Sequence, residues 1–226
     1  MVILLIALAP VFIILFYVYF RDKYEKEPFK LLLLAVVAGM IIVVPVIFIE
    51  RLIMALQPGM SPIFDSAYNA FLVAALTEEA FKYLALFLLI WKSPEFNEKF
   101  DGIVYAVFIS LGFAGVENVL YVFEGGIKTG ILRAITAVPA HALFGVMMGY
   151  YFGIARMYVE LRKKYLWLAF LVPFILHGIY DFMLMSNLPI LLIAFIPFVL
   201  YLYFAGFRKM KITSDSSIFK DWHEEG

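Results

Sequence analysis

The sequence predicts an all-α membrane protein that crosses the bilayer about seven times. Of its 226 residues, 65% are hydrophobic, and the mean hydropathy is +0.95. A soluble domain is nearer half apolar, so the excess indicates side chains that face lipid. Seven apolar runs are long enough to be read as membrane helices, which need about 17–25 residues. The chain has no cysteine, which excludes disulfides, thiolate nucleophiles and cysteine-held metals.

The apolar runs predict helices in chain order at 2–20, 31–49, 67–91, 103–123, 131–157, 166–185 and 189–206. The first run has neither the basic start nor the cleavage site of a signal peptide, so we expect it to be retained. The last run contains Pro189 and Pro197 and is expected to be kinked. Residues 1–206 are expected to form a single transmembrane domain, and 207–226 a flexible cytoplasmic tail.

The basic residues predict the orientation in the membrane. Most of the 18 lysines and arginines lie in or beside 21–30, 92–99, 156–165 and 207–226. The opposite side holds only Arg51, Lys128 and Arg133. By the positive-inside rule the N-terminus is outside and the C-terminus is cytoplasmic. The net charge of zero gives no indication of a nucleic-acid partner.

An acidic pair interrupts the third apolar run and is the strongest functional signal in the chain. Glu78 and Glu79 lie near the middle of 67–91. An ionisable residue at such depth costs about 3 kcal/mol and is a functional-site hypothesis by default. Lys82 follows them by four and three residues, so one helical turn brings it beside both. One carboxylate is enough to neutralise one lysine, so the second carboxylate indicates a functional role beyond charge pairing.

Polar side chains on other predicted helices lie at a matching depth. At about 1.5 Å per residue, Glu79, Glu117, His141 and His177 fall roughly 9–18 Å below the outer surface. They come from four helices and predict one polar layer between the midplane and the outer leaflet. Two further residues are expected to support this layer, since Asn118 follows Glu117, and Asp181 lies at i+4 from His177 and would fix its tautomer.

The polar layer favours hydrolysis by a glutamate-activated water. Glu79 is the preferred base, because Lys82 at i+4 is expected to pair with Glu78. Intramembrane Glu, His and Asp also build proton relays, so an ion-coupled transporter is an alternative, although no internal repeat typical of many transporters is visible. In a third reading, a non-enzymatic scaffold uses the layer only to lock its helices.

Five motifs resemble, in order and spacing, the PrsW family of membrane proteases, which is similar to the CAAX-protease and Abi superfamily. They are 21–28, the Glu78-Glu79 pair with Lys82, Phe113 with Glu117 and Asn118, His141 with Gly145, and His177 with Asp181. The resemblance implies a multi-pass cell-membrane peptidase. It would cut a membrane-tethered protein, such as an anti-sigma factor, near the outer leaflet in a site-1-type cleavage.

The resemblance also implies roles for individual residues. Glu78 or Glu79 would activate the water, and His141 and His177 match the histidines of the later helices. The superfamily has Phe-xxx-His where this chain has Phe113-xxx-Glu117, so a carboxylate replaces that histidine. The expected catalytic set is therefore Glu78, Glu79, Glu117, His141 and His177, with Lys82, Asn118 and Asp181 in support.

Two schemes for the water remain open in the sequence. Glu79, Glu117, His141 and His177 offer N and O ligands for Zn²⁺ with an open position for water. Without metal, the histidines and Asn118 would serve as oxyanion donors. Analogy with the superfamily favours the metal-free scheme. The expected partners are membrane lipid and a membrane-tethered protein substrate, and the sequence gives no oligomeric state.

Overall fold

The computed structural model describes residues 2–220, and within this range it is helical with no strand. The all-α prediction is therefore confirmed. The helices are α1 (Val2–Arg21), α2 (Phe29–Ala55), α3 (Pro62–Ala67), a π-helix (Tyr68–Ala75), α4 (Leu76–Ile90), α5 (Lys99–Ile135), α6 (Ala137–Met157), a short 3-10 helix (Val159–Leu161), α7 (Arg162–Met185) and α8 (Pro189–Asp215).

Five helical stretches of the described chain are long and apolar enough to cross a membrane. They are Leu4–Arg21, Phe29–Ala55, Lys99–Met157, Val159–Met185 and Pro189–Asp215. The stretch Lys99–Met157 contains both α5 and α6, because only Thr136 lies between them. The predicted run 67–91 is divided among the end of α3, the π-helix and α4, none of which is long enough by itself. The chain is thus a helical membrane protein with several membrane-capable segments.

The prediction of one helix over 131–157 is wrong. Helix α5 continues to Ile135, and α6 begins at Ala137. Pro139 lies in the first turn of α6, where its missing N–H removes no helical hydrogen bond. Farther back, Gly126 has a φ of 72° and interrupts the regular path of α5. Residues 131–135 therefore belong to the end of α5.

Helix α8 ends later than the apolar run from which it was predicted. It extends past 206 to Asp215, and Met210, Thr213 and Ser214 are buried within this extension. The segment expected as a tail therefore starts as helix packed against the protein. Its last part, 221–226, lies outside the described residues.

Helix α5 lies at the centre of the fold. In the most apolar window of Lys99–Met157, 78% of the residues are buried, against 22% in α1 and 11% in α8. The outer helices instead present large apolar side chains outward, among them Phe12, Val44 and Ile196, which are 54%, 73% and 65% exposed. This distribution suits helices that border lipid around a central helix.

Glycines set the distance between α5 and α6. A Cβ on Gly149 would lie 2.2 Å from the carbonyl oxygen of Gly102, and a Cβ on Gly153 would lie 2.3 Å from that of Lys99. Small residues allow membrane helices to bring their backbones together in this way. The close contact of α5 with α6 fixes the relative positions of the polar side chains that both helices carry.

We expect Gly149→Ala to destabilise the protein by about 1–3 kcal/mol, because the added methyl group meets rigid backbone. Gly115→Ala is the matched control, since its Cβ would find only side chains at ordinary contact distance, the nearest at 3.6 Å. Thermal unfolding of both variants in one detergent measures the effect. Equal unfolding temperatures for the two variants would contradict the close packing of α5 against α6.

Candidate active site

The acidic pair stands at the beginning of α4, directly after the π-helix. π-helical turns are rare and occur frequently at functional sites. Glu78 and Glu79 are 5% and 0% exposed. On the neighbouring helix α7, Gly178 leaves room for the ring of Phe71, which would lie 2.2 Å from a Cβ at that position. The π-helix therefore packs closely on α7, and this contact brings His177 to the acidic pair.

Lys82 is the centre of a buried polar network. Its Nζ lies 2.9 Å from Glu78 Oε2, 2.9 Å from Glu79 Oε1 and 3.1 Å from His141 Nδ1. It also lies 4.3 Å from the centre of the Phe113 ring. The expectation that Lys82 pairs with Glu78 in preference to Glu79 is wrong, because the i+3 and i+4 carboxylates are equally close. The spacing argument for Glu79 as the base therefore fails.

The two histidines are oriented in the same way. His177 places Nδ1 2.9 Å from Glu79 Oε1 and Nε2 3.3 Å from Asp181 Oδ2. His141 places Nδ1 at Lys82 and Nε2 2.9 Å from Glu117 Oε2. Each ring thus turns Nδ1 toward the acidic pair and Lys82, and Nε2 toward a further carboxylate, Glu117 or Asp181. The structure forms the His177–Asp181 contact that the i,i+4 spacing indicated.

Glu117 is held by an arginine that the sequence did not single out. Arg133 Nη2 lies 2.8 Å from Glu117 Oε2. In the sequence Arg133 is one of three basic residues on the predicted outer side, and the signal for its role is that a glutamate within an apolar helix needs a counter-charge. The amide of Asn118 does not join the histidines, since it donates to the Ala7 carbonyl oxygen and accepts from Arg133 Nε. The structure gives no support to Asn118 as an oxyanion donor.

A cavity of about 470 Å³ opens beside this network. Its polar lining includes Glu78, Glu117, His141, His177 and Asp181. Its walls are largely apolar and come from several helices, including Val43, Val46, Val73, Leu120 and Leu184. Cavities with apolar walls and a few converging polar groups are typical of binding and active sites.

Two further polar residues line the cavity and were missed in the sequence. Glu50 of α2 and Asn69 of the π-helix both lie on its wall. Glu50 directly follows the apolar run 31–49 and looked like a helix boundary, although α2 continues to Ala55. The position of Asn69 relative to Glu78 could not be predicted from α-helical spacing, because the π-helix between them does not follow the 3.6-residue period.

The members of the acidic pair differ in their access to this cavity. Glu78 lines it, whereas Glu79 has no exposed surface and is held by Lys82 and His177. A water molecule in the cavity can therefore meet the carboxylate of Glu78. Glu79 is placed to hold other groups in position.

The donor set fits a zinc ion. Glu78, Glu79, His141 and His177 are buried, and each offers one ligand atom within 4.8 Å of the others. Two carboxylates with two imidazoles are ordinary Zn²⁺ ligands, and zinc-bound histidines usually place their second nitrogen on a carboxylate. In the described structure the Glu79 Oε2 atom is buried without a hydrogen-bond partner. The expected ligand Glu117 instead lies behind His141, and Glu78 takes its place in the cluster.

The ammonium of Lys82 is close to the position that a cation would occupy in this cluster. It lies within 3.1 Å of atoms from Glu78, Glu79 and His141. A metal ion would need lone pairs of the same atoms. Lys82 and a metal ion would therefore compete for this site.

The fold is that of a helical membrane protein, and its buried carboxylate–histidine site has groups that can activate water for hydrolysis. A family model described as PrsW family intramembrane metalloprotease matches residues 27–206. The chain is 44% identical over 179 residues to Protease PrsW of Geobacillus kaustophilus (strain HTA426), which covers 79% of this chain and 78% of the relative. The chain therefore belongs to the PrsW family of intramembrane proteases, and it is a multi-pass cell-membrane peptidase.

Two other relatives match nearly the full chain. Identity is 40% over 212 residues to Protease PrsW of Oceanobacillus iheyensis (strain DSM 14371 / CIP 107618 / JCM 11309 / KCTC 3954 / HTE831), covering 93% of this chain and 95% of the relative. Identity is 37% over 205 residues to Protease PrsW of Bacillus subtilis (strain 168), and the match covers 90% of this chain and 92% of the relative. No solved structure matches this chain. The resemblance to the family is thus confirmed.

If Lys82 competes with a metal ion, Lys82→Met should lower the apparent dissociation constant for Zn²⁺ by at least about tenfold, which corresponds to 1.4 kcal/mol. The measurement is Zn²⁺ titration against a chromophoric chelator with the purified protein. Lys209→Met is the control, since Lys209 lies beside Tyr150 and outside this cluster. An unchanged dissociation constant in Lys82→Met would contradict the competition.

Proposed function

We propose that this peptidase hydrolyses a peptide bond of a membrane-tethered protein near the outer leaflet, with Glu78 as the base that activates water. The observation that carries this proposal is the division of the acidic pair. Glu78 lines the cavity, while Glu79 is fully buried behind it. A general base must lie within reach of the water that it deprotonates, and this geometry favours Glu78.

The surrounding residues have distinct roles in this proposal. Lys82 holds the carboxylate of Glu78 in place, since their atoms are 2.9 Å apart. His141 and His177 face the cavity and can donate to an oxyanion or bind a metal. Glu117 and Asp181 hold the two imidazoles through their Nε2 atoms, which fixes the ring orientation.

A zinc ion is proposed for the position among Glu79, His141 and His177. Two histidines with one glutamate, and an open position for water, form one of the established ligand sets of catalytic zinc. The chemistry that such an ion supplies when bound is polarisation of a carbonyl and acidification of water. The description of the matching family as a metalloprotease supports this proposal over the metal-free scheme. Glu78 stays free to take the proton.

The proposed topology has seven crossings, formed by α1, α2, residues 62–90, α5, α6, α7 and α8. Residues 62–90 form one unbroken helical segment once the π-helix is included. The N-terminus would be outside and the C-terminus cytoplasmic, following the basic residues. The cavity wall includes Met54, Arg133 and Met185, which lie at helix ends on the predicted outer side. The cavity would therefore open toward the outer leaflet.

The proposed substrate is an extended segment just outside a membrane anchor. Apolar walls beside a cluster of charged groups suit a peptide at the boundary of lipid and water. Site-1-type cleavage of an anti-sigma factor rests on the resemblance of the motifs to the family. The protease domain is proposed to span 1–206, which includes the region that the family model matches.

Glu78→Gln is expected to lower the cleavage of a membrane-tethered reporter by about 10²–10⁴-fold, because the amide cannot accept the proton of the water. Reconstituted enzyme and reporter in proteoliposomes give the rate. Glu124→Gln, on the cavity rim, is the matched control and should keep most of the activity. Full activity in Glu78→Gln would overturn the assignment of the base.

The absence of cysteine allows a direct measurement of the topology. Met60→Cys, between α2 and α3, and Glu160→Cys, in the short 3-10 helix between α6 and α7, place single thiols at exposed positions on opposite sides of the proposed membrane. In intact cells, a membrane-impermeant maleimide should label the first and should reach the second only after lysis. Labelling of both positions, or of Glu160→Cys alone, contradicts the proposed orientation.

A further inference from the structure

A second carboxylate cluster lies at the other end of α5, away from the active site. Glu25 and Glu27, in the loop between α1 and α2, meet Asp101 in the first turn of α5. Each offers one carboxylate oxygen, and these atoms lie within 4.8 Å of one another. Asp101 and Glu117 are separated by 16 residues of helix, or roughly 24 Å. The proposed catalytic groups therefore make no use of this cluster.

Two carboxylates of the cluster are buried with one oxygen each left without a donor. Asp101 is 0% exposed, and its Oδ2 accepts from the backbone N–H groups of Asn97 and Glu98. Glu27 is 3% exposed, and its Oε2 accepts from the Tyr105 hydroxyl. Asp101 Oδ1 and Glu27 Oε1 are buried and face no hydrogen-bond donor within the described chain. Buried polar atoms are normally satisfied, so this pair calls for a partner.

Two more oxygens at the same place lack a donor. Asn97 donates its Nδ2 to Glu25 Oε1 at 3.0 Å. This contact leaves Asn97 Oδ1 and Glu25 Oε2 buried without a hydrogen-bond partner in residues 2–220. Side-chain oxygens that can only accept therefore converge from the loop and from the start of α5.

No lysine or arginine of residues 2–220 forms an ion pair with Glu25, Glu27 or Asp101. Lys26 donates its ammonium to the backbone carbonyl oxygens of Tyr19 and Asp22 instead. Buried charge without a counter-charge is strongly destabilising. The cluster therefore has the charge and the free acceptors of a cation site.

We propose that Glu25, Glu27, Asn97 and Asp101 bind a divalent cation that prefers oxygen ligands, Mg²⁺ or Ca²⁺. Carboxylate and amide oxygens are the ligands of these ions, and this cluster has no nitrogen or sulfur ligand that would select zinc. The ion would tie the α1–α2 loop to the first turn of α5. It would thereby fix the start of α2, which begins at Phe29, against the central helix.

The test is thermal unfolding of the purified full-length protein in detergent, with MgCl₂ and CaCl₂ titrated separately at constant ionic strength. We expect a saturable rise in the unfolding temperature with at least one of the two ions, of about 4 °C or more at a hundredfold excess over its dissociation constant. The ion with the lower saturating concentration is the one that the site prefers. No saturable rise with either ion would overturn the proposal, whether or not any variant folds.

Variants locate the response. Asp101→Asn and Glu27→Gln should lose the rise, and Glu25→Gln, at a partly exposed position, should weaken it. Glu160→Gln is the exposed control and should respond like the wild type, and so should His177→Ala, which alters only the active-site cluster. A rise that persists in both Asp101→Asn and Glu27→Gln would contradict the site. In that case a proton shared between Glu27 and Asp101 would account for the cluster.

Discussion

The contacts of the buried Lys82 ammonium are the interaction on which the rest of the candidate active site depends. It contacts Glu78 and Glu79 on its own helix and His141 on α6, all within 3.1 Å. Removing one partner from such a network leaves an uncompensated charge away from water, at a cost of about 3–5 kcal/mol. Glu117 extends the network to α5, and His177 extends it to α7. These polar contacts therefore join four helices, and breaking them inside the membrane would cost several kcal/mol of free energy, about the 3–5 kcal/mol given above.

Close packing makes this network possible, because charged side chains meet only where the backbones approach. Gly149 lets α6 lie against α5, and these two helices carry His141 and Glu117. Gly178 lets α7 lie against the π-helix, so His177 reaches Glu79. A side chain at either glycine would push apart the helices that the polar groups join. Close helix packing and the polar contacts therefore both require a glycine at these two positions.

The sequence predicted the members of the site better than their partners. An ionisable residue in an apolar run is conspicuous wherever it stands, so Glu78, Glu79, His141 and His177 were found. The roles of Arg133 and Glu50 depend on which helix faces which, and no local pattern reports that. The all-α class followed from apolar runs long enough to cross a membrane as helices. The boundary at Thr136 and the π-helix did not, because an apolar run shows where a helix can form and says little about where its hydrogen bonding changes.

The carboxylates at the two ends of α5 are stabilised in different ways. At the end near the cavity, Glu117 has both an imidazole and a guanidinium within 2.9 Å. At the opposite end, Asp101 and Glu27 form no ion pair with a basic side chain of residues 2–220, and each keeps one buried oxygen without a donor there. The acidic pair on α4 has its counter-charge within its own helix, because the ammonium of Lys82 lies 2.9 Å from both carboxylates. A metal ion that binds among these groups would therefore have to displace the ammonium of Lys82 from Glu78, Glu79 and His141.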